Sequence, residues 1–188
     1  HAVADSVVTA AESFHLSGSS TLTHGRGNEF GLQIVAPQVI VDNGSALDVT
    51  GRGYPGGGHS GFDERGATLG NQPGAERGNG GGHAGRGAHF SGSDAGSNAL
   101  YGDVMDPNEL GSGGGSWNGD GGDGGGRVLV TCNALVLEGT IAADGAPSNG
   151  SASGDGSGGS VNLQIGTLSG NGTIRANGGG NGSHTGGG

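Results

Sequence analysis

Gly126-Arg-Val-Leu-Val-Thr-Cys132 and Leu135-Val-Leu-Glu-Gly-Thr-Ile-Ala-Ala-Asp-Gly145 return 33 residues further along the chain, as Gly159-Ser-Val-Asn-Leu-Gln-Ile165 and Leu168-Ser-Gly-Asn-Gly-Thr-Ile-Arg-Ala-Asn-Gly178. The alignment needs no gap, and it places apolar residues on apolar residues and one glycine turn on the other. Internal similarity at a period of roughly 20–50 residues is typical of stacked structural units.

Weaker copies of the same unit lie upstream. Leu32, Ile34 and Ala36 align with the first strand of the repeat. After a two-residue insertion, Leu47 and Val49 align with the second strand. A fourth copy is predicted over residues 14–25, with Leu22 at the position of Leu47.

The repeat predicts an all-β fold. Apolar residues alternate with polar ones in Val128-x-Val130-x-Cys132, and such alternation over a short run indicates a strand with one buried face. Short strands separated by glycine turns predict a parallel β-solenoid, or β-helix, with coils of about 33 residues. A β-sandwich built from similar hairpins is the alternative.

A glycine-rich insertion, residues 52–126, interrupts the repeat and contains most of the large aromatic side chains. Glycine allows backbones to approach closely, so its runs are expected to form polyglycine-II-like segments packed side by side. A disordered loop is the alternative. We expect one domain, 1–188, in which residues 1–25 form an N-terminal strand and a potential donor segment. Residues 127–188 form two 33-residue coils.

Composition excludes several classes of protein. The chain has 188 residues, of which 50 are glycine, and its net charge is −10 with seven arginines and no lysine. An acidic chain does not suit a phosphate backbone, so no nucleic-acid partner is expected. No apolar run is long enough to span a membrane, and without a lysine there is no P-loop.

The blocks Gly-Thr-Ile-x-Ala-(Asp/Asn)-Gly, the glycine and serine tracts, and Tyr101-Gly-Asp-x-x-x-Pro-x-x-Leu-Gly-Ser-Gly-Gly-Gly115 resemble the glycine-rich repeats of large secreted surface proteins of bacteria and protists. The resemblance covers most of residues 32–188. It implies a right-handed, adhesin-like β-helix displayed outside the cell or on its surface. It supplies no catalytic motif.

A window of acids suggests a metal site. It contains Asp103, Asp106, Glu109, Asp120 and Asp123, with Asn118 beside the last two. Calcium takes six to eight oxygen ligands, and carboxylates together with glycine-loop carbonyls can supply them. The spacing fits neither of the common calcium motifs, and a solvated acidic loop is the competing interpretation. His83 and His89 lack the further ligands that zinc needs.

Several other residues are candidates for binding or modification. Trp117, Tyr101 and Tyr54 are candidates for stacking on sugars, although each also fits a local core. Asn43, Asn149, Asn171 and Asn181 begin Asn-x-Ser/Thr triplets, which become glycan sites only in a secreting eukaryote. Cys132 is expected to be a buried small hydrophobe, and no serine-hydrolase elbow is present.

These patterns favour a structural role. A solenoid exposes an open sheet edge at each end, and natural solenoids cover these ends with polar caps. No cap is evident after the last repeat, so we expect either a slice of a longer repeat protein or a head-to-tail homopolymer. The leading hypothesis is an extracellular, self-assembling fibre or adhesive surface layer with no enzymatic activity. The alternative is a calcium-dependent adhesin or carbohydrate-binding module with surface glycans as partners, and a polysaccharide-cleaving β-helix is a distant third.

Overall fold

The computed structural model describes residues 2–3, 7–90, 100–180 and 186–187. Strands take up 32% of the chain and helix 2%, which confirms an all-β protein. The described elements are β1 (Ala2–Val3), β2 (Val8–Thr9), β3 (Ser13–Leu16), β4 (Thr21–Thr23), β5 (Leu32–Val35), β6 (Gln38–Val41), β7 (Ala46–Asp48), β8 (Ala67–Thr68), a 3-10 turn (Leu69–Asn71), β9 (Gln72–Pro73), β10 (Arg127–Leu137), β11 (Thr140–Ala142), β12 (Ser160–Ser169) and β13 (Thr173–Arg175).

Two parallel sheets carry the repeat. One has the order β1-β4-β7-β11-β13. In the other, the long strand β10 pairs on one edge with both β5 and β6, and on its other edge with β12. Pro37 lies between β5 and β6, and because proline has no backbone N–H it interrupts the ladder there. The strands β2 and β3 lie outside β5 and β6.

The register inferred from the sequence is confirmed for the repeat. Val128 pairs with Val161 on one side and with Leu32 on the other. In the smaller sheet, Ile141 lies between Leu47 and Ile174. Equivalent apolar side chains therefore stack in columns, and the columns of the two sheets form one core.

The predicted right-handed β-solenoid of 33-residue coils is wrong, because the parallel sheets curl like half-barrels. Paired residues are 33 apart only between the last two units, as in Val128 and Val161. The offset is 96 residues from Leu32 to Val128 and 20 from Ala2 to Leu22. The β-sandwich alternative is also wrong, since only β8 and β9 form an antiparallel pair of strands among the described residues.

Glycine-rich segments form a second packed body beside the sheets. Gly114 N donates to the carbonyl of Gly122 (2.9 Å), and Gly57 N donates to the carbonyl of Gly114 (2.8 Å). Gly115 N donates to Asn79, and its carbonyl accepts a hydrogen bond from Gly154 N. A strand in a sheet has two neighbours, whereas this segment bonds to four. We call the side-by-side segments around residues 53–57, 79–82, 111–115, 121–126 and 154–159 the glycine bundle.

Small side-chain clusters complete the packing. Tyr54, Ala67 and Leu110 form a buried cluster inside residues 52–126, with Phe62 packed against it. Cys132 is a buried free thiol in the main core, as expected from its setting, and burial raises its pKa.

The close packing of the glycine bundle predicts that the stability cost of a glycine-to-alanine substitution depends strongly on its position. A methyl group on Gly114 would overlap the carbonyl of Gly154, whereas one on Gly180 meets nothing within 4 Å. We expect Gly114→Ala to lower the free energy of unfolding by at least about 2 kcal/mol, since backbone must move to admit the methyl group. Gly180→Ala should leave it unchanged or raise it slightly. Denaturant titration measures both, and equal effects would contradict this packing.

The stacked columns predict that replacing a leucine by alanine costs more stability in an inner layer than in the outermost one. Leu135 is fully buried, whereas Leu168, its partner in the next strand, is 54% exposed. Leu135→Ala should cost about 2–5 kcal/mol through lost burial and a residual cavity. Leu168→Ala should cost less than about 1 kcal/mol. The comparison uses the same denaturant titration, and a cost at Leu168 as large as that at Leu135 would be inconsistent with the stacking.

Candidate functional site

The acids predicted to bind calcium separate into two groups, and those of the first group are already paired with Arg26 and His59. Asp123 bonds Arg26 through Oδ2 (2.9 Å) and accepts a hydrogen bond from Gly56 N through Oδ1 (2.8 Å). His59 lies between the two carboxylates, with Nε2 3.3 Å from Asp120 and Nδ1 3.6 Å from Asp123. These partners engage both carboxylate oxygens of Asp123 and Oδ2 of Asp120.

Asparagine side chains complete this first group. Asn149 donates to the Asp120 carboxylate (2.9 Å) and accepts from the backbone N–H of Asp120 (2.6 Å). The Asn118 amide donates to Ser151 and accepts from Ala152 N. Asn118 therefore links two loops and contributes nothing to an ion site in this arrangement.

The second group lies on the exposed loop after Tyr101. Asp103 accepts a hydrogen bond from Met105 N (2.8 Å), and Asp106 accepts one from the Asn162 amide (2.8 Å). Within the part of the chain that the structure describes, no group of three or more His, Cys, Asp or Glu side chains is arranged to hold a metal ion. Calcium binding at these acids stays a prediction.

Tyr54 is a core residue, 3% exposed, and its ring offers no open face for a sugar. Its hydroxyl donates to Glu29 (2.7 Å) and accepts from Gly70 N (3.0 Å). Burial, followed by the hydrogen bond to Glu29, raises the pKa of Tyr54 to about 12. Tyr54 is therefore a neutral phenol in the folded protein.

Tyr101 is half-buried against His83, with ring centroids 4.9 Å apart. Its hydroxyl donates to the Leu110 carbonyl (2.6 Å), and burial raises its pKa above the usual range. Trp117 is 42% exposed, but the guanidinium of Arg77 lies 3.4 Å from its ring centroid, and Phe90 lies beside it at 5.5 Å. Of the three predicted sugar-stacking rings, Trp117 is the most exposed, Tyr101 is half-buried and Tyr54 is buried.

A cleft of about 350 Å³ opens beside His83, between the loop that carries Val104 and the last strands. His83 is 4% exposed, and burial lowers its pKa, so the ring is neutral near pH 7. Its Nε2 has no hydrogen-bond partner among the described residues. Val161 and Ile174 line the apolar wall, and Arg175, also on the wall, pairs with Asp144 (2.5 Å).

The same wall belongs to an open sheet edge, which we define by β12 and β13. No described strand pairs with the outer side of either strand. The loop at residues 106–109 covers only the start of β12, through hydrogen bonds to Ser160 and Asn162. Leu168 is 54% exposed and Ile174 is 41% exposed, whereas Leu135 and Ile141, one layer below, are fully buried. The open edge therefore presents unfinished apolar columns together with unpaired backbone groups.

The predicted glycan acceptors differ in their surroundings. Asn43 and Asn171 lie in exposed turns, and Asn149 is exposed but bonded to Asp120. Asn181 lies outside the described residues.

Sequence reasoning missed the side chains that pair with these acids. Arg26 and Asp123 are 97 residues apart, and His59 lies in a separate loop, so no local pattern connects them. The open edge had a signal, because Leu168 and Ile174 end the repeated apolar positions.

Comparisons with known proteins give no relative: no family model matches the chain, and neither curated proteins nor solved structures contain a match. Over the described residues, no helix has the length and hydrophobicity required to cross a bilayer.

The buried phenol predicts an alkaline weakening of the fold. Because the pKa of Tyr54 rises from 10.0 to about 12 on folding, its contribution to stability is complete below pH 10 and is lost as the pH rises towards 12. In Tyr54→Phe, the free energy of unfolding should therefore fall less steeply over that range. At neutral pH the variant should be less stable by about 1 kcal/mol, through two lost hydrogen bonds.

Denaturant titrations at several pH values test this. Tyr101→Phe is a second, independent test, because burial also raises the pKa of Tyr101 and its loss should reduce the slope as well. A Tyr54→Phe protein with the parent's full pH dependence would contradict the assignment.

Proposed function

We propose that the chain is a structural extracellular protein, a subunit or segment of a self-assembling fibre or adhesive surface layer, without a catalytic role. The observation that carries the proposal is the open edge formed by β12 and β13. Leu168 and Ile174 are about half exposed there, whereas Leu135 and Ile141, one layer below them, are fully buried. A further parallel layer would bury them and pair the free backbone groups.

The opposite end of the sheets has strands at matching positions. Phe14 in β3 pairs with Val39, which occupies the same column as Leu135 and Leu168. Because all these strands are parallel, a second copy added end to end keeps both strand direction and register. Such a contact joins two different surfaces and does not close on itself, so repetition makes a filament.

Two kinds of layer fit this edge. One is a second copy of the chain, and the other is a neighbouring repeat of a longer protein. Both present the same chemistry, namely an extended parallel strand with apolar side chains at every second position. In either case the chain works as one segment of a continuous stack.

The proposed location of the chain is outside the cell or on its surface. A net charge of −10 keeps a protein surface well solvated. The resemblance to glycine-rich secreted repeats supports the same location. The glycine bundle adds rigidity, because its hydrogen bonds connect segments far apart in the chain, such as Gly57 with Gly114.

The calcium-dependent adhesin receives no specific support from the geometry. The acids nearest each other, Asp120 and Asp123, share His59, and Asp123 also binds Arg26. Trp117 presents a ring already covered on one side by Arg77. The fibre or layer is therefore the better proposal.

Assembly tests the proposal. We expect the purified chain to form filaments or higher oligomers as concentration rises, detected by analytical ultracentrifugation and negative-stain electron microscopy. Leu168→Lys combined with Ile174→Lys should leave monomers, because two charges then occupy the apolar columns of the open edge.

Leu69→Lys is the matched control, since Leu69 is 46% exposed and lies in the 3-10 turn, outside β12 and β13. Circular dichroism checks that all variants fold. A parent chain that stays monomeric at high concentration overturns self-assembly by this chain. Unchanged assembly of the double variant shows that the open edge is not the contact.

A further inference from the structure

Asparagine followed by glycine can modify itself in water. The backbone nitrogen of glycine loses its proton and attacks the side-chain carbonyl carbon of asparagine, ammonia leaves, and a cyclic succinimide forms. Water then opens the ring to aspartate or isoaspartate. The reaction needs an asparagine side chain and a glycine N–H that are free to move, so folded structure decides which site reacts.

The described part of the chain contains six Asn-Gly pairs, and five of them are held. In two pairs the backbone N–H of the glycine is bonded: Gly172 N donates to Leu137 (2.8 Å), and Gly80 N donates to Ala88 (2.9 Å). In the other three the asparagine side chain is bonded; these are Asn118 to Ser151, Asn149 to Asp120 and Asn177 to Asp144. Each of these bonds must break before the ring can close.

Asn43 and Gly44 are the exception. Both are exposed and lie in the turn between β6 and β7, which is closed by Ser45 N donating to Asp42 (2.9 Å). Among the described residues, neither the Asn43 amide nor Gly44 N has a hydrogen-bond partner. Gly44 has a φ of 80°, which places the Asn43–Gly44 peptide at the centre of a turn facing solvent.

We propose that Asn43 is a site of spontaneous deamidation in the folded protein. The product carries a new carboxylate next to Asp42, which pairs with His15 across 2.9 Å. Isoaspartate also adds one methylene to the backbone of this tight turn. The modification would therefore alter both the charge and the length of the β6–β7 connection, and it would remove Asn43 as a glycan acceptor.

Peptide mapping by mass spectrometry tests the inference. The folded parent protein is incubated at mildly alkaline pH, and deamidation at each Asn-Gly pair is followed with time. Asn43 should react at least about fivefold faster than any of the other five described pairs, the factor expected when one hydrogen bond no longer has to be broken. Asn181 also precedes a glycine, but it lies outside the described residues and is not ranked.

The same incubation in denaturant is the control for sequence. Every site then has the same neighbour, glycine, so the six rates should approach one another. Asn43→Gln should lose the fast phase while leaving the slower sites unchanged. Equal rates in the folded protein overturn the proposal, and so does an Asn43 excess that persists in denaturant, because the preference would then not come from the fold.

Discussion

Close contact between backbones is the constraint on which the glycine-rich half of this protein depends. In the glycine bundle, the carbonyl of one segment lies where a side chain of its neighbour would begin, as for Gly154 over Gly114. Hydrogen bonds between segments, such as Gly111 N to Gly125 (2.8 Å), take the place of a side-chain core. The abundance of glycine is therefore a packing requirement, not a sign of a loose linker.

The bundle and the sheets are continuous. Gly126 N donates to Val49 (2.8 Å) just before β10, and Gly159 N donates to Ala143 (2.8 Å) just before β12. The long strands thus leave the bundle already aligned with their neighbours. A thin apolar core of stacked columns then suffices, since the hydrogen bonds of the bundle join directly onto the ends of the sheets.

Sequence reasoning succeeded where the same side chains recur. The pairing of Val128 with Val161, and of Ile141 with Leu47, follows from a gapless or nearly gapless repeat. It failed on the overall architecture. The 33-residue step applies only to the last two units, and the curl of the sheets produces no periodic pattern in the sequence. It also could not place His59 between Asp120 and Asp123, since contacts between distant loops depend on the whole glycine bundle.

The functional proposal depends on the same layered construction. The open edge at β12 and β13 can bind a further layer in register only if the layers beneath it are rigid. Hydrogen exchange measures that rigidity directly. If the bundle is a packed body, the amides of residues 111–115 should exchange as slowly as those of β10, through unfolding of the whole molecule. Exchange of these amides at the rate of a solvated loop, while β10 stays protected, would contradict the account.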